Sequence, residues 1–255
     1  MKNIITICSK ELKSYFASPI AWLLLTMFAV IFGFFFWNAL GYFVQLGLQS
    51  QMSGRSFPTD MNEMIIRPLL MNVTVIGLFL LPLITMRLFA EENRTGTMEL
   101  LLTSPVHDLE IIIGKWLAAL LLYASMLGIT AINFIFLFAY GKPDWKPMLV
   151  AYLGLLLQAG ALLAVGAFIS TLTKNQIVAG GLTFGVCLLL WVLEWVAGYE
   201  TATWAKVLAY MSVVSHFEPF AKGVLDTKDA IYYVSLIVLG LFLTARSLES
   251  LRWRS

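Results

Sequence analysis

Charge is scarce in this sequence. Of 255 residues only 13% are Asp, Glu, Lys or Arg, against 60% hydrophobic, and the mean hydropathy is +0.83. A soluble domain carries about a quarter of its residues as charges, so a water-facing fold is excluded. Histidine and cysteine are scarcer still. Two of each, His107, His216, Cys8 and Cys187, leave no H-E-x-x-H and no Cys/His cluster with ligand spacing, which argues against a zinc-centred membrane enzyme or a disulfide framework. The two cysteines read as small buried hydrophobes. No G-x-S-x-G occurs, so a nucleophile elbow is missing. Gly114-Lys115 is followed by Trp116 and lacks the upstream Gly of a phosphate loop; the chain does not cradle ATP by that device. Acids are nearly absent from the apolar runs, with Glu194 at the end of one, which leaves a proton relay without stations. Lys10, Glu11 and Lys13 interrupt the apolar core that a cleavable signal needs, so the first span is expected to serve as its own membrane signal.

What the sequence does have is long uncharged runs. The run Ser14 to Gly54 is followed by Pro68 to Met86, Trp116 to Gly141, Pro147 to Thr173, Asn175 to Leu193 and Ala230 to Ala245. A helix rising ~1.5 Å per residue needs about 20 residues to cross the hydrocarbon core. The pattern predicts an all-α integral membrane protein with six spans, over 19–44, 68–88, 108–139, 148–172, 176–197 and 228–246, in a single domain of residues 1–255. With both termini inside, the inner segments hold 10 of the 17 basic and 7 of the 15 acidic residues, a positive-inside bias that places both termini in the cytoplasm. Such a chain suits a bacterial inner membrane.

The segments outside the spans carry their own patterns. In residues 2–17, Ile4, Ile5, Cys8, Leu12, Tyr15 and Phe16 share one helical face and Lys2, Thr6, Ser9, Lys10 and Lys13 the other, with Ile7 and Glu11 off-pattern. This predicts an amphipathic helix in the headgroup layer, ended by Ser18-Pro19; the alternative is a polar extension of span one. The uncharged stretch Val207 to Phe217, in the loop of residues 198–227, is too short to span. It reads either as a re-entrant piece or as a loop helix packed on the bundle. Two small-residue pairs, Gly160 with Ala164 and Gly181 with Gly185, permit close helix approach, inside one subunit or at a seam with a second.

Between spans two and three runs RTGTMELLLTSPV, residues 94–106. Gly96 permits a break and Thr97 to Thr103 a short helix with Glu99 near its positive end. Ser104, Pro105, Asp108 and Glu110 suit the start of the next helix. A short helix held between two spans transmits a partner's push into both; a merely structural loop is the other reading.

The stretch Glu91 to Val106, EENRTGTMELLLTSPV, resembles the E-x-x-x-G-T-[LM]-E-x-L-L-[ST]-x-P signature of the type-2 ABC transporter permeases. KELKSYFASP, Lys10 to Pro19, is similar to the N-terminal elbow of the same family. The layout fits over the whole chain, and within the family it looks most like the gliding-motility permease and the permease of nitrous oxide reductase maturation. The resemblance implies a permease subunit of an ATP-driven transporter, without a nucleotide site or other cofactor of its own. It implies as partners a cytosolic ATPase dimer, which binds the ATP, and a second permease subunit, identical or homologous. It also implies a coupling helix over 96–104, with Glu91 and Glu92 at the end of span two, Gly96, Thr97 and Glu99 opening the helix, Leu100, Leu101 and Leu102 giving apolar contacts, and Ser104 and Pro105 closing it. Lys10, Glu11, Tyr15 and Phe16 would belong to the elbow helix, and Lys174-Asn175-Gln176 would make a second contact. No catalytic residue, metal ligand or substrate ligand follows. The rival outside the family is an ATP-independent channel or secondary carrier, which needs polar pore-lining residues that the spans barely offer.

Overall fold

The structure is a computed structural model that describes residues 2–53, 60–98, 106–141, 143–199 and 203–252. Among them there is helix and no strand. Helix α1 (Lys2–Ala17) precedes span one, α2 (Pro19–Ser53). Span two is a π-helical turn (Asn62–Ile66) running into α3 (Arg67–Thr85), followed by the short α4 (Ala90–Thr95). Spans three, four and five are α5 (Asp108–Tyr140), α6 (Trp145–Thr171) and α7 (Gln176–Tyr199). Two short helices, α8 (Thr203–Tyr210) and α9 (Phe217–Ala221), lead to span six, α10 (Thr227–Arg252). Six helices are long and apolar enough to cross a membrane: the chain is an all-α multi-pass membrane protein. Six spans put α1 and the end of span six on one side, here the near end, with α8 and α9 at the far end.

Span two is the centre of the bundle. Two thirds of its most apolar window is buried, against about a fifth for spans one, five and six. It therefore reads as apolar all round, as a helix enclosed by other helices must. Small residues let its neighbours approach. A Cβ on Gly166 of span four would lie 2.5 Å from Thr85 Oγ1 of span two. One on Gly240 of span six would lie 2.7 Å from the Ala164 carbonyl carbon of span four. In span four, Gly160 faces Trp116 and Ile237, and its carbonyl accepts the Trp116 indole N–H at 2.9 Å. The Gly160/Ala164 pair is thus spent inside the subunit. The Gly181/Gly185 pair of span five is not: a Cβ on either would meet nothing within 4 Å. Span one is buried only through Ala21, Leu24, Phe28 and Phe32, all in its near half.

At the far end α8 and α9 pack on the bundle. Phe217 and Phe220 are fully buried, with Phe220 seated against Gly154 of span four. Gly223, at φ +77°, turns the chain against Pro147, a backbone angle that favours glycine. Arg67 and Lys222 both pair with Glu218, at 3.3 and 2.6 Å.

Candidate functional site

The near end holds a cluster of charges unusual for so apolar a chain. Lys115 lies about two turns into span three and is 3% exposed. Its ammonium sits 3.2 Å from Glu11 Oε1 on α1 and 2.9 Å from Glu92 Oε1 on α4, above the ring of Phe89. One buried cation therefore joins three elements. Beside it Arg87 bridges to both oxygens of Glu91, at 2.9 and 3.2 Å, and donates to Ser18 Oγ at 3.4 Å. Two cations thus face Glu11, Glu91 and Glu92, so the cluster is close to balanced, as a poorly hydrated site requires. Burial, and after it the Glu11 carboxylate, pushes the Tyr15 phenol well above its ordinary range, which keeps this ring neutral beside the cluster.

Local sequence explains how each group gets there. Helix α1 lies against span three because Gly114 has no side chain; a Cβ there would fall 2.8 Å from Ile7 Cγ2. Asn3 adds a hydrogen bond to Glu110 at 2.8 Å. The face of α1 turned to the bundle therefore includes Ile7 and Glu11, the two residues off the amphipathic pattern, while Ile5 is 69% exposed. The wheel put Ile5 on the apolar face and left Ile7 and Glu11 off it, and those two are the residues that meet span three. The wheel takes α1 by itself, whereas span three covers one flank of it at Ile7 and leaves Ile5 uncovered.

The end of span two is broken and then re-capped from span four. Pro82 removes one rung, the bond back to Leu78. The Met86 amide still bonds the Pro82 carbonyl at 3.0 Å, and the helix stops at Thr85. The next amides, of Phe89 and Ala90, both donate to Ser170 Oγ, at 3.1 and 3.0 Å. Asn93 reaches the Thr171 carbonyl at 3.4 Å, and Thr171 donates to Ser247 of span six at 2.7 Å. Helix α4 ends at Gly96 in the left-handed conformation, φ +72°, the favoured termination for a helix that must turn away.

The predicted site residues fall as follows. Glu91 and Glu92 are in α4 and carry the ion pairs to Arg87 and Lys115. Gly96 is the cap of α4, and Thr97 Oγ1 lies 2.9 Å from Thr95 Oγ1. Met98 returns to the core. Glu99, Leu100, Leu101, Leu102, Ser104 and Pro105, most of the expected coupling helix, lie outside the described residues. On α1, Lys10 is exposed, Glu11 binds Lys115, and Tyr15 and Phe16 pack against the core. Lys174 and Asn175 are exposed, with Asn175 Oδ1 accepting the Ile177 amide at 2.9 Å. Reading the sequence missed Lys115, Ser170 and Thr171. For Lys115 a signal existed: a lysine carried past Asp108 and Glu110 into the apolar part of its helix, with Glu91, Glu92 and Glu99 in the preceding segment. Among the described residues no three metal-ligating side chains converge.

Mechanically, the site ties the segment after span two to α1 and to spans three, four and six at once. A family model described as ABC-2 family transporter protein matches residues 5–245. Comparison with individually characterised proteins gives no match.

Proposed function

Because the chain belongs to the ABC-2 family of transporter proteins, we propose that its near end is the cytoplasmic seat of a separate ABC ATPase, and that the Lys115 cluster passes that subunit's nucleotide-driven movement into the spans. As a member of the family the chain is the membrane permease subunit and not itself catalytic; ATP is bound by the partner. The observation that carries the reading is the burial of Lys115 between Glu11 and Glu92, at the base of the loop that bears the coupling signature. An ion pair linking α1, span three and the segment after span two makes the near ends of these elements move as one body. The membrane is the bacterial inner membrane, with both termini in the cytoplasm. The task is export, or mechanical work of the gliding-motility kind.

A second permease subunit completes the pathway. The open face of span five at Gly181 and Gly185 supports a seam there, since small residues at four-residue spacing allow helix backbones to approach.

The test is purification of the chain from its native membrane in mild detergent. An ATPase subunit is expected at stoichiometric yield, and it is lost when residues 96–105 are scrambled. A chain that remains alone after crosslinking, and transports in liposomes without ATP, would overturn the proposal.

A further inference from the structure

At the far end, His216 is buried where α8 and α9 meet span six. Its Nδ1 lies 2.6 Å from Asp229 Oδ1, and its Nε2 lies 2.8 Å from the Tyr210 carbonyl oxygen. The two side chains are 6% and 2% exposed. A carbonyl oxygen has no proton to give, so Nε2 must carry one. The other contact then needs a second proton, either on Nδ1 or on the Asp229 carboxyl. The seated geometry therefore holds one proton more than a neutral histidine beside an ionised aspartate. Without that proton, one of the two contacts sets a lone pair against a lone pair at hydrogen-bond distance.

Every neighbour fits the protonated form. Tyr232 stacks on the imidazole with ring centroids 3.9 Å apart and planes 20° from parallel, a favourable place for a cation. The phenols of Tyr232 and Tyr233 donate to the carbonyls of Met211 and Val213, at 2.6 and 2.7 Å, so both are neutral here and both also pin this segment. Tyr210 of α8 presents its ring edge-on, at 4.9 Å. Of the charged groups near by, Lys228 is paired with Asp226 at 3.1 Å, and Glu218 of α9 pairs with both Lys222 and Arg67. Glu194 of span five lies within electrostatic range of Glu218. Asp229 Oδ2 is buried with no partner among the described residues. Lys228 also feels the Asp229 charge but is bonded to Asp226, so the imidazole is the described group in direct contact with this carboxylate.

We propose that the α8–α9 segment is a proton-dependent latch on the far end of span six, seated while His216 and Asp229 share the extra proton and released when it is lost. The sign follows from the count: the seated form binds the additional proton, so falling pH favours seating and rising pH favours release. Release would free the outer end of span six, whose near end is tied through Ser247 to Thr171. The latch does not depend on which energy source drives the bundle.

The test uses the full chain in lipid nanodiscs, with Cys8 and Cys187 replaced by Ala and spin labels at Lys206→Cys on α8 and Trp145→Cys at the start of span four. Electron spin resonance is expected to read one short distance at about pH 6 and a second, longer population at about pH 8.5. Asp229→Asn is the decisive variant. Its amide donates to a neutral Nδ1 while Nε2–H still reaches Tyr210, so the latch needs no extra proton and stays seated at both values. His216→Phe should show the longer population at both. Because His107 is the only other histidine, nitrogen-15 histidine spectra of His107→Gln report the His216 protons directly, even where His216→Phe fails to fold. A distance independent of pH in the parent, or an Asp229→Asn variant that opens with pH as the parent does, would overturn the latch.

Discussion

Lys115 is costly on its own account. A lysine ammonium taken from water into a site 3% exposed loses hydration that only well-placed partners replace. Here the partners come from two other elements, so the stabilisation appears only when α1 and α4 are both docked. Lys115→Met removes the cation and leaves Glu11 and Glu92 facing each other across its place. We expect a loss of about 3 kcal/mol, the usual consequence of breaking a buried pair from one side. It should be seen as a lower thermal midpoint and as faster proteolysis of α1. Glu11→Gln, which keeps a polar acceptor and relieves the like-charge contact, should restore part of that loss in the double variant. If the double variant is as unstable as Lys115→Met, the ion pair does not hold α1 in place.

At the scale of elements, the junction between span two and α4 is the part most exposed to a single substitution. One hydroxyl, Ser170 Oγ, accepts two backbone amides. Ser170→Ala leaves both amides unmet in a buried place and should cost about 1–2 kcal/mol, as the loss of a helix cap does. Hydrogen exchange at residues 89–95 checks this; it should quicken there and stay unchanged in spans five and six. The six spans were legible in the sequence because uncharged runs long enough to cross a bilayer have few other uses. The family signature was legible too, as a spaced motif. The docking of α1 was not. Its inward face is chosen by Gly114 on another helix, and Glu11 looks like a polar error until Lys115 is known to stand opposite. His216 and Asp229 are 13 residues apart across a turn, and no periodicity relates a loop residue to the first turn of a span. Such pairs are properties of tertiary packing, and a pattern taken along one element does not contain them.

For the whole molecule, glycine placement separates contacts made inside the subunit from a face left open. Gly240 and Gly166 are closed on by neighbours. A Cβ on Gly240 would meet backbone, which cannot swing aside, so Gly240→Val should push span six from span four and lower the thermal midpoint of the isolated subunit. Gly181 and Gly185 stand on an open face, and leucine there has better helix propensity than glycine. The paired change Gly181→Leu with Gly185→Leu should therefore leave the thermal midpoint of the isolated subunit level or raise it. If span five forms the seam with a second permease, the same change abolishes the two-subunit species, because four added methylene-rich branches per seam hold the backbones apart. Mass measurement of the purified complex in detergent distinguishes the cases. Loss of the pair with an intact fold places the seam on span five. An unchanged pair places it on another face, and the outer half of span one, which contributes no fully buried residue to its own subunit, becomes the next face to test in the same way.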